Sequence, residues 1–365
     1  MTHMDECFPT LDTPSVLIDL AVVRRNIRAM VEGLHAQGIA HRPHFKAHKS
    51  LYLARLQLDM GACGMTCATL GEAEVLAAGN ITDIFIAYPI VGDIKLRRLL
   101  ALGERADVCV VVNSQEGAQA MSEVFAQANR RQRVLVELEG GMERSGITLD
   151  TIAKFAQGVA ALPGLVLDGV MSYHGTIYGM QPHAFSSHAR REAADLLAAK
   201  AVLEAVSIPV RVLSGGSSFT SKMPAYLAGL TEARAGNYVF NDVAQLSTGL
   251  VTENDCAMTV LATVVTRPDA RHAVIDAGSK TLSSDTTSFG KGFGRVLGQP
   301  EWVVYKLSEE HGYIQLPENA QPAVGDRLRI IPNHACIPPN LTDCMYGIEG
   351  STLVPIAVDA RGCNR

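Results

Sequence analysis

The stretch Arg42-Pro-His-Phe-Lys-Ala-His-Lys49 follows a short apolar run that starts at Ile39, so it places a lysine where the chain leaves a predicted β-strand. The amine of Lys46 at such a position can form a Schiff base with an aldehyde, which is the chemistry of pyridoxal phosphate (PLP) enzymes. On the residues alone, Lys49 and Lys280 remain open as alternatives. Because most lysines at strand ends are solvated surface groups, the meaning of the stretch depends on the rest of the chain.

The strand before Lys46 is the first of eight β-rich runs that alternate with segments of helical period from about residue 20 to 245. The predicted strands are Ile39 to Pro43, Ala62 to Ala68, Asp83 to Pro89, Val108 to Asn113, Val134 to Glu139, Leu165 to Tyr173, Val210 to Leu213 and Arg234 to Phe240. Predicted helices include Leu20 to Gln37, Leu70 to Ala78, Gln115 to Arg130 and His188 to Ala205. This alternation predicts a (β/α)8 barrel, whose active site would lie at the carboxyl ends of the strands.

The sequence pattern changes after about residue 246, where short β-prone runs are separated by Gly, Pro, Asn and Asp. The predicted runs are Met258 to Val265, His272 to Ile275, Trp302 to Tyr305, Arg327 to Ile331 and Leu353 to Val358. Such runs are typical of an antiparallel β-domain.

A possible metal site lies in this second region, in the segment Pro332-Asn-His-Ala-Cys-Ile-Pro-Pro-Asn340. Side chains at i and i+2 of an extended chain project to the same side, so His334 and Cys336 can face one ion together. Imidazole and thiolate are both ligands that zinc accepts. A buried structural cysteine beside a hydrogen-bonded histidine is the alternative for a single His-x-Cys pair.

Two glycine-containing segments at the ends of predicted strands seven and eight could bind a phosphate. They are Ser214-Gly-Gly-Ser-Ser218 and Gly236-Asn237. Glycine lets backbone N–H groups approach an anion closely, and serine hydroxyls add donors. Phosphate sites of barrels commonly form at these two strands, although a Gly-Gly pair elsewhere is usually only a turn.

Composition and charge exclude several classes of function. The 365 residues are 47% hydrophobic and 19% charged with a net charge of −5, and they show no basic stripe for nucleic acid. No apolar run reaches the ~18 residues of a membrane span, and the start of the chain lacks the features of a secretion signal. We therefore expect a cytoplasmic protein whose eight cysteines are reduced thiols, with Cys63, Cys67 and Cys109 in the core.

Taken together, these segments resemble the fold-type III PLP enzymes, the alanine racemase-like family that includes D-serine dehydratase, D-threonine aldolase and 3-hydroxyaspartate lyases. The resemblance covers nearly the whole chain and depends on the order of its landmarks. Besides the segments around Lys46, Ser214 and His334, the landmarks are Thr13-Pro-Ser-Val-Leu-Ile-Asp19, Val136-Glu-Leu-Glu-Gly-Gly-Met-Glu-Arg-Ser-Gly146, Tyr173-His-Gly175, Glu232-Ala-Arg-Ala-Gly-Asn-Tyr238, Asp276-Ala-Gly-Ser-Lys280 and Ser308-Glu-Glu-His-Gly312.

The resemblance implies an α/β fold, with a PLP-binding (β/α)8 TIM-type barrel over residues 20–245. Residues 1–19 and 246–365 would form the antiparallel β-domain, and two subunits would form a head-to-tail homodimer. It selects Lys46 as the catalytic lysine that bonds PLP. The implied cofactor-binding residues are Lys46, Arg144, Tyr173, Ser214, Gly215, Gly216, Ser217, Arg234, Gly236, Asn237 and Tyr238.

Individual roles follow from the same resemblance. Arg234 would face the pyridine nitrogen of PLP and keep it unprotonated, Arg144 would lie near the phenolic oxygen, and Tyr173 would stack on the ring. His334 and Cys336 would bind Zn2+ or another divalent ion. The chain departs from the family pattern at Glu139, where relatives often have aspartate, so the role of this residue is open.

The implied activity is that of a PLP- and metal-dependent lyase acting on small D-3-hydroxy-amino acids. Relatives with His-x-Cys resemble zinc-dependent dehydratases, which favours a D-serine dehydratase-like reaction giving a 2-oxo acid and ammonia. The alternative is a D-threonine aldolase-like reaction giving glycine and an aldehyde, and an amino-acid racemase or a non-catalytic PLP-binding protein ranks below both. D-serine, D-threonine and 3-hydroxyaspartate all remain open as substrates, with Arg267, Arg271 and Arg295 as candidates for contacting a β-carboxylate.

Overall fold

A computed structural model describes residues 8–287 and 291–365. The chain divides into two compact units. One unit contains residues 28–46, 53–236 and 362–365, and the other contains the residues up to Ile27 together with 47–52 and 237–361.

Eight parallel strands form the sheet of the first unit. They are β2 (Ala40–His41), β3 (Met65–Cys67), β4 (Asp83–Pro89), β5 (Asp107–Val112), β6 (Gln132–Leu138), β7 (Leu165–Ser172), β8 (Val212–Gly215) and β9 (Glu232–Ala233), numbered after the N-terminal strand β1 (Ser15–Asp19). Each of β3 to β8 pairs with the next strand along the chain, and β9 pairs with β2. The amide of Cys63 donates to the carbonyl of His41 and that of Thr66 to Pro43, so the sheet curls into a closed barrel.

Helices connect the barrel strands, as expected for parallel pairing. The longer ones are α1 (Leu20–His35), α2 (Leu51–Asp59), α3 (Leu70–Ala78), α4 (Asp93–Leu102), α5 (Gln115–Gln127), α6 (Ile152–Ala160) and α7 (Phe185–Ala205). Two of them begin at a hydroxyl cap: the Thr69 side chain accepts from the amide of Glu72, and the Ser114 side chain accepts from Gly117. These caps fix where the chain turns from strand to helix.

The barrel interior has an apolar middle and a charged end. Its middle is filled by the buried side chains of Phe85, Cys109, Val111, Leu135 and Met171. At the end where the strands begin, the buried Asp168 carboxylate accepts from Nε of Arg133 at 2.6 Å and from Arg211. The barrel is therefore a packed core, and only its opposite end is available for a cofactor.

Antiparallel pairing dominates the second unit. Its strands are β1, β10 (Met258–Asp269), β11 (His272–Ile275), β12 (Gly294–Val296), β13 (Val303–Leu307), β14 (Gly312–Gln315), β15 (Arg327–Pro332), β16 (Cys344–Glu349) and β17 (Thr352–Ala357), with the short helices α8 (Val243–Leu246), α9 (Ser279–Leu282) and α10 (Pro338–Leu341). The order is β11-β14-β13-β12-β15-β10-β1-β16-β17, and β10 also pairs with β11, which closes six strands into a ring. The N-terminal strand belongs to this sheet, as the resemblance implied.

The fold class is confirmed, and some local predictions are corrected. The predicted eighth strand, Arg234 to Phe240, is wrong in position: β9 ends at Ala233, and Asn237–Val239 form a 3-10 turn. Strands β12, β14 and β16 were not predicted, because the first two are only three and four residues long and Gly347 interrupts the apolar residues of the third. Cys63 is exposed rather than in the core, whereas Cys67 and Cys109 are buried.

Within the described ranges no helix is long and apolar enough to cross a membrane. The seven cysteines of these ranges are all free thiols.

Candidate active site

Lys46 lies in a one-turn 3-10 helix, Phe45–Ala47, directly after β2. Its neighbours Phe45 and Ala47 are fully buried, whereas the lysine itself is exposed. Its backbone amide donates to Nδ1 of His44 at 3.5 Å. The turn is therefore anchored on both sides of a lysine that points away from the core.

The two alternative lysines are occupied by protein partners. Nζ of Lys49 donates to the side-chain oxygen of Asn340 at 2.8 Å, and Lys49 is buried. Nζ of Lys280 lies 2.5 Å from the carboxylate of Glu310, and this hydrogen bond raises the pKa of the lysine. The hydrogen bond to Asn340 occupies the Lys49 amine, and the raised pKa of Lys280 disfavours it as a nucleophile, so neither arrangement favours Schiff-base chemistry.

Arg144 and Tyr173 come together at the carboxyl ends of β6 and β7. The Arg144 guanidinium carbon lies 5.7 Å from the centre of the Tyr173 ring. Glu139 holds the loop that leads to Arg144, because its Oε1 accepts from the amide of Glu143 at 3.1 Å. Burial raises the pKa of Glu139, but the backbone amides of this loop outweigh it and lower the pKa overall. The Glu139 carboxylate thus holds this loop in place.

The segment Ser214 to Ser217 begins with the last two residues of β8 and continues into a tight turn. Gly216 has φ of +75°, and a Cβ there would lie 2.7 Å from Oγ of Ser221. The amide of Gly216 donates to Oε1 of Glu192 at 2.8 Å, and the Ser217 hydroxyl accepts from the amide of Thr220 at 3.1 Å. Within the described chain the buried hydroxyl of Ser221 has no hydrogen-bond partner, so one donor beside the turn is left for a ligand.

Gly215 and Gly236 complete this part of the predicted site. A Cβ on Gly215 would lie 2.7 Å from Leu230, so close packing explains this glycine. The amide of Gly236 donates to Oγ of Ser218 at 3.2 Å.

Arg234 lies inside the barrel with 5% of its surface exposed. Its Nη1 donates to Oγ of Ser214 at 2.5 Å, and its Nη2 donates to the carbonyl of Ser172 at 2.6 Å. Burial lowers the pKa of this guanidinium, while the charge of Glu232 opposes the shift. A guanidinium only donates hydrogen bonds, so a ring nitrogen facing it would have to be an unprotonated acceptor.

Asn237 and Tyr238 open the 3-10 turn after the barrel strands, and both are buried. The amide group of Asn237 donates to Oδ2 of Asp242, which also accepts from the backbone amide of Ala335 at 2.9 Å. Ala335 is the residue between His334 and Cys336. Burial raises the pKa of Asp242, and the charge of His334 opposes the shift.

His334 and Cys336 lie side by side after β15. Nδ1 of His334 lies 2.9 Å from Oδ2 of Asp285. Interaction with the neighbouring Cys336 raises the pKa of His334 to about 10, and Asp242 and Asp285 add to this effect against burial. Since a protonated imidazole cannot bind a metal, an ion would have to replace this proton.

Among the described residues, no group of three or more His, Cys, Asp or Glu side chains is arranged to hold a metal ion. A metal on His334 and Cys336 would need further ligands from water or substrate, which leaves open positions of the kind that catalytic sites keep. The donor set fits zinc or a similar ion, and Asp285 is placed as its outer partner.

Sequence reasoning missed the supporting residues Ser221, Glu232, Asp242 and Asp285. Glu232 had a signal, because it stands two residues before Arg234 in an extended stretch of chain and so faces the same side. Asp285 had none, since it lies 49 residues before His334.

The barrel and the residues at its open end define a class of protein. Lys46 leaves the first barrel strand, Arg234 is a buried donor, and a turn at Gly216 leaves a hydroxyl for an anion. This donor set fits the ring and phosphate of PLP, and the fold is that of the alanine racemase-like, fold-type III enzymes.

Comparison with known proteins gives the family. The sequence model "Alanine racemase, N-terminal domain" matches residues 18–243, and "Putative serine dehydratase domain" matches residues 257–348. The chain is 36% identical over 356 residues to D-threo-3-hydroxyaspartate dehydratase of Delftia sp. (strain HT23), covering 91% of this chain and 93% of that one. It is 31% identical over 363 residues to D-threonine aldolase of Arthrobacter sp, covering 97% and 94%.

Solved structures agree. The H-to-A mutant of D-threo-3-hydroxyaspartate dehydratase and its C-to-A mutant in the metal-free form each match with a TM-score of 0.90 and 32% identity. Both matches cover 95% of this chain. They cover 95% of the histidine mutant and 97% of the cysteine mutant. The chain belongs to this PLP-dependent family and is a lyase.

Proposed function

We propose that the protein is a PLP- and divalent-metal-dependent dehydratase that converts a D-3-hydroxy-amino acid into a 2-oxo acid and ammonia. The observation that carries the proposal is the contact of His334 with Cys336. A histidine and a cysteine two positions apart were each changed to alanine in the related dehydratase, and the cysteine mutant is described as metal-free. The same spacing in this chain supports the same use.

Lys46 is the proposed attachment and proton-transfer group. When bound, PLP withdraws electrons from the substrate α-carbon. The amine of Lys46 would then take the proton from that carbon, and its exposure on an anchored turn suits both tasks. Arg234, held on two sides in the barrel, would donate to the ring nitrogen, and Ser221 and the Gly216 turn would bind the phosphate.

His334 and Cys336 are the proposed metal ligands. A divalent ion there would act as a Lewis acid on the β-hydroxyl and make it a better leaving group. Asp285 would direct the other ring nitrogen of His334 to the ion, and the thiolate favours zinc over harder ions.

Similarity favours 3-hydroxyaspartate as the first substrate to test, with D-serine and D-threonine next. The aldolase reaction is the second candidate, since an aldolase is 31% identical over nearly the whole chain. A homodimer and a cytoplasmic location remain part of the proposal.

The decisive experiment incubates purified protein with PLP and Zn2+ and either D-serine, D-threonine or each diastereomer of D-3-hydroxyaspartate. Oxo acid and ammonia in equal amounts are expected. Glycine with an aldehyde would instead assign the aldolase reaction. The absence of any product from all four would contradict the lyase proposal.

A further inference from the structure

Arg234 is a buried cation. Among the residues that the structure describes, it forms no ion pair with a carboxylate. Burying an isolated charge is costly, so its compensation must come through other groups. The Ser214 hydroxyl is the link, because it contacts both Nη1 of Arg234 at 2.5 Å and Oε1 of Glu232 at 2.6 Å.

The direction of these hydrogen bonds is fixed by chemistry. A guanidinium can only donate, an ionised carboxylate can only accept, and a serine hydroxyl has one proton. The hydroxyl must therefore donate to Glu232 and accept from Arg234. Glu232 therefore balances the charge of Arg234 indirectly, through the hydroxyl of Ser214 that lies between them.

Glu232 is itself anchored on its far side. Its Oε2 accepts from Nε of Arg42 at 2.8 Å, and Nη1 of Arg42 donates to Asp83 at 2.7 Å. Glu232 and Arg42 are largely buried, whereas about half of the Asp83 side chain is exposed. Opposite charges thus alternate from Arg234 through Glu232 and Arg42 to Asp83, and Arg42 is the direct contact of Glu232 on this side.

We propose that Glu232, acting through Ser214, is a positioning residue that fixes Arg234 and sets the charge that the PLP ring experiences. This inference rests on the proposed function, because it assumes that Arg234 faces the cofactor. Ser214 would then serve the cofactor through its hydroxyl at the ring end, in addition to any phosphate contact of its backbone.

Other titratable groups also act on Arg234. The charges of Glu192 on α7, Glu137 on β6 and Tyr173 at the end of β7 favour its protonated form, as that of Glu232 does. Glu192 accepts from the amide of Gly216, and Glu137 accepts from Ser145 at 2.8 Å. Of these groups, Glu232 has a hydrogen-bonded path to the guanidinium through one hydroxyl, which singles it out for mutation.

The test measures PLP affinity and the pH titration of the bound cofactor's absorbance in the full-length protein. Ser214→Ala and Glu232→Gln should each raise the PLP dissociation constant about tenfold, the cost of one charge-assisted hydrogen bond. Glu232→Gln should also move the absorbance midpoint to lower pH by about half a unit, because losing a negative charge disfavours protonation nearby. The double variant should raise the PLP dissociation constant only as much as the more strongly affected single variant, since both changes break the same series of hydrogen bonds.

Asp83→Asn is the matched control, because it changes the far end of the same chain without touching Ser214. It should leave both quantities at the wild-type values. Wild-type PLP affinity and midpoint in both Ser214→Ala and Glu232→Gln would overturn the inference, and so would an Asp83→Asn variant that reproduces Glu232→Gln. Should Glu232→Gln not fold, the affinity of Ser214→Ala decides. A wild-type protein that binds PLP without lyase activity would refute the proposed function alone.

Discussion

Arg234 stands at the end of a barrel strand, where backbone pairing fixes its direction, whereas His334 lies in an irregular segment after β15. The amide of Arg234 donates to the carbonyl of Gly215, so the regular sheet continues to the residue itself. The segment of His334 is held by side chains instead: Asn333 donates to the carbonyl of Gly292, and Asp242 accepts from Ala335. Arg234 is thus part of the regular scaffold, while the proposed metal pair His334 and Cys336 depends on a few polar groups.

The largest effect is expected on the barrel side, where no other described group can replace the lysine. Lys46→Ala should lower lyase activity roughly 10⁴-fold, because in the proposed function this lysine is both the attachment point and the base. It should also abolish the absorbance of covalently bound PLP. Lys280→Ala, which changes an exposed ion-paired lysine, is the control and should behave as wild type. Covalent PLP in Lys46→Ala would refute this assignment.

Metal removal tests the other region. Treatment with a chelator should lower activity roughly 10³-fold, the loss of several kcal/mol of Lewis-acid stabilisation, and leave PLP bound. Added Zn2+ should restore it, with metal content measured by mass spectrometry. Cys336→Ser should lose the metal, whereas Cys344→Ser, which changes another half-buried thiol, should keep it. Full activity in metal-free protein would remove the metal from the proposal.

A smaller effect is expected when a polar side chain that holds His334 is changed. Asp285→Asn should weaken metal binding about 10- to 100-fold, as is usual for an outer partner of a ligating histidine. The control is Asp269→Asn, because Asp269 makes the same 2.9 Å contact with His272 in a hairpin without a cysteine. Metal titration against a coloured chelator measures both variants, and equal affinities would show that Asp285 does not orient His334.

The smallest effect concerns the stability of the barrel scaffold. Burial raises the pKa of Asp168, but its ion pairs with Arg133 and Arg211 outweigh it and lower the pKa below the usual value. The ionised Asp168 therefore contributes its full share to the free energy of unfolding above the pKa that it has in the unfolded chain. This contribution is lost as pH falls through the lower pKa of the folded protein. Asp168→Asn should destabilise the protein by about 2 kcal/mol at pH 7.

Unfolding in denaturant measures this difference at several pH values. The gap between wild type and Asp168→Asn should stay constant from about pH 5 to 8 and narrow below about pH 4. A gap that widened in acid would mean that Asp168 is protonated in the folded barrel.

Helices and strands were predictable from the sequence where one buried face gives the apolar residues a regular spacing. The strand Asp83–Pro89 and the helix Leu70–Ala78 have the predicted bounds, since apolar pattern and cap agree. The turn at Asn237 was read as strand because its apolar residues are buried without being paired in a sheet. Lys46 and the His334–Cys336 pair were visible as local patterns, but Asp242 and Asp285 act across the fold and leave no local signal.

The division into units has a consequence for how this protein can be recombined. The chain passes between the units five times, after Ile27, Lys46, Tyr52, Gly236 and Arg361. The two family models match single continuous stretches, yet neither unit is one continuous fragment. A chimera that takes the antiparallel unit from a homologue would therefore also need residues 47–52, immediately after Lys46, in addition to the residues up to Ile27.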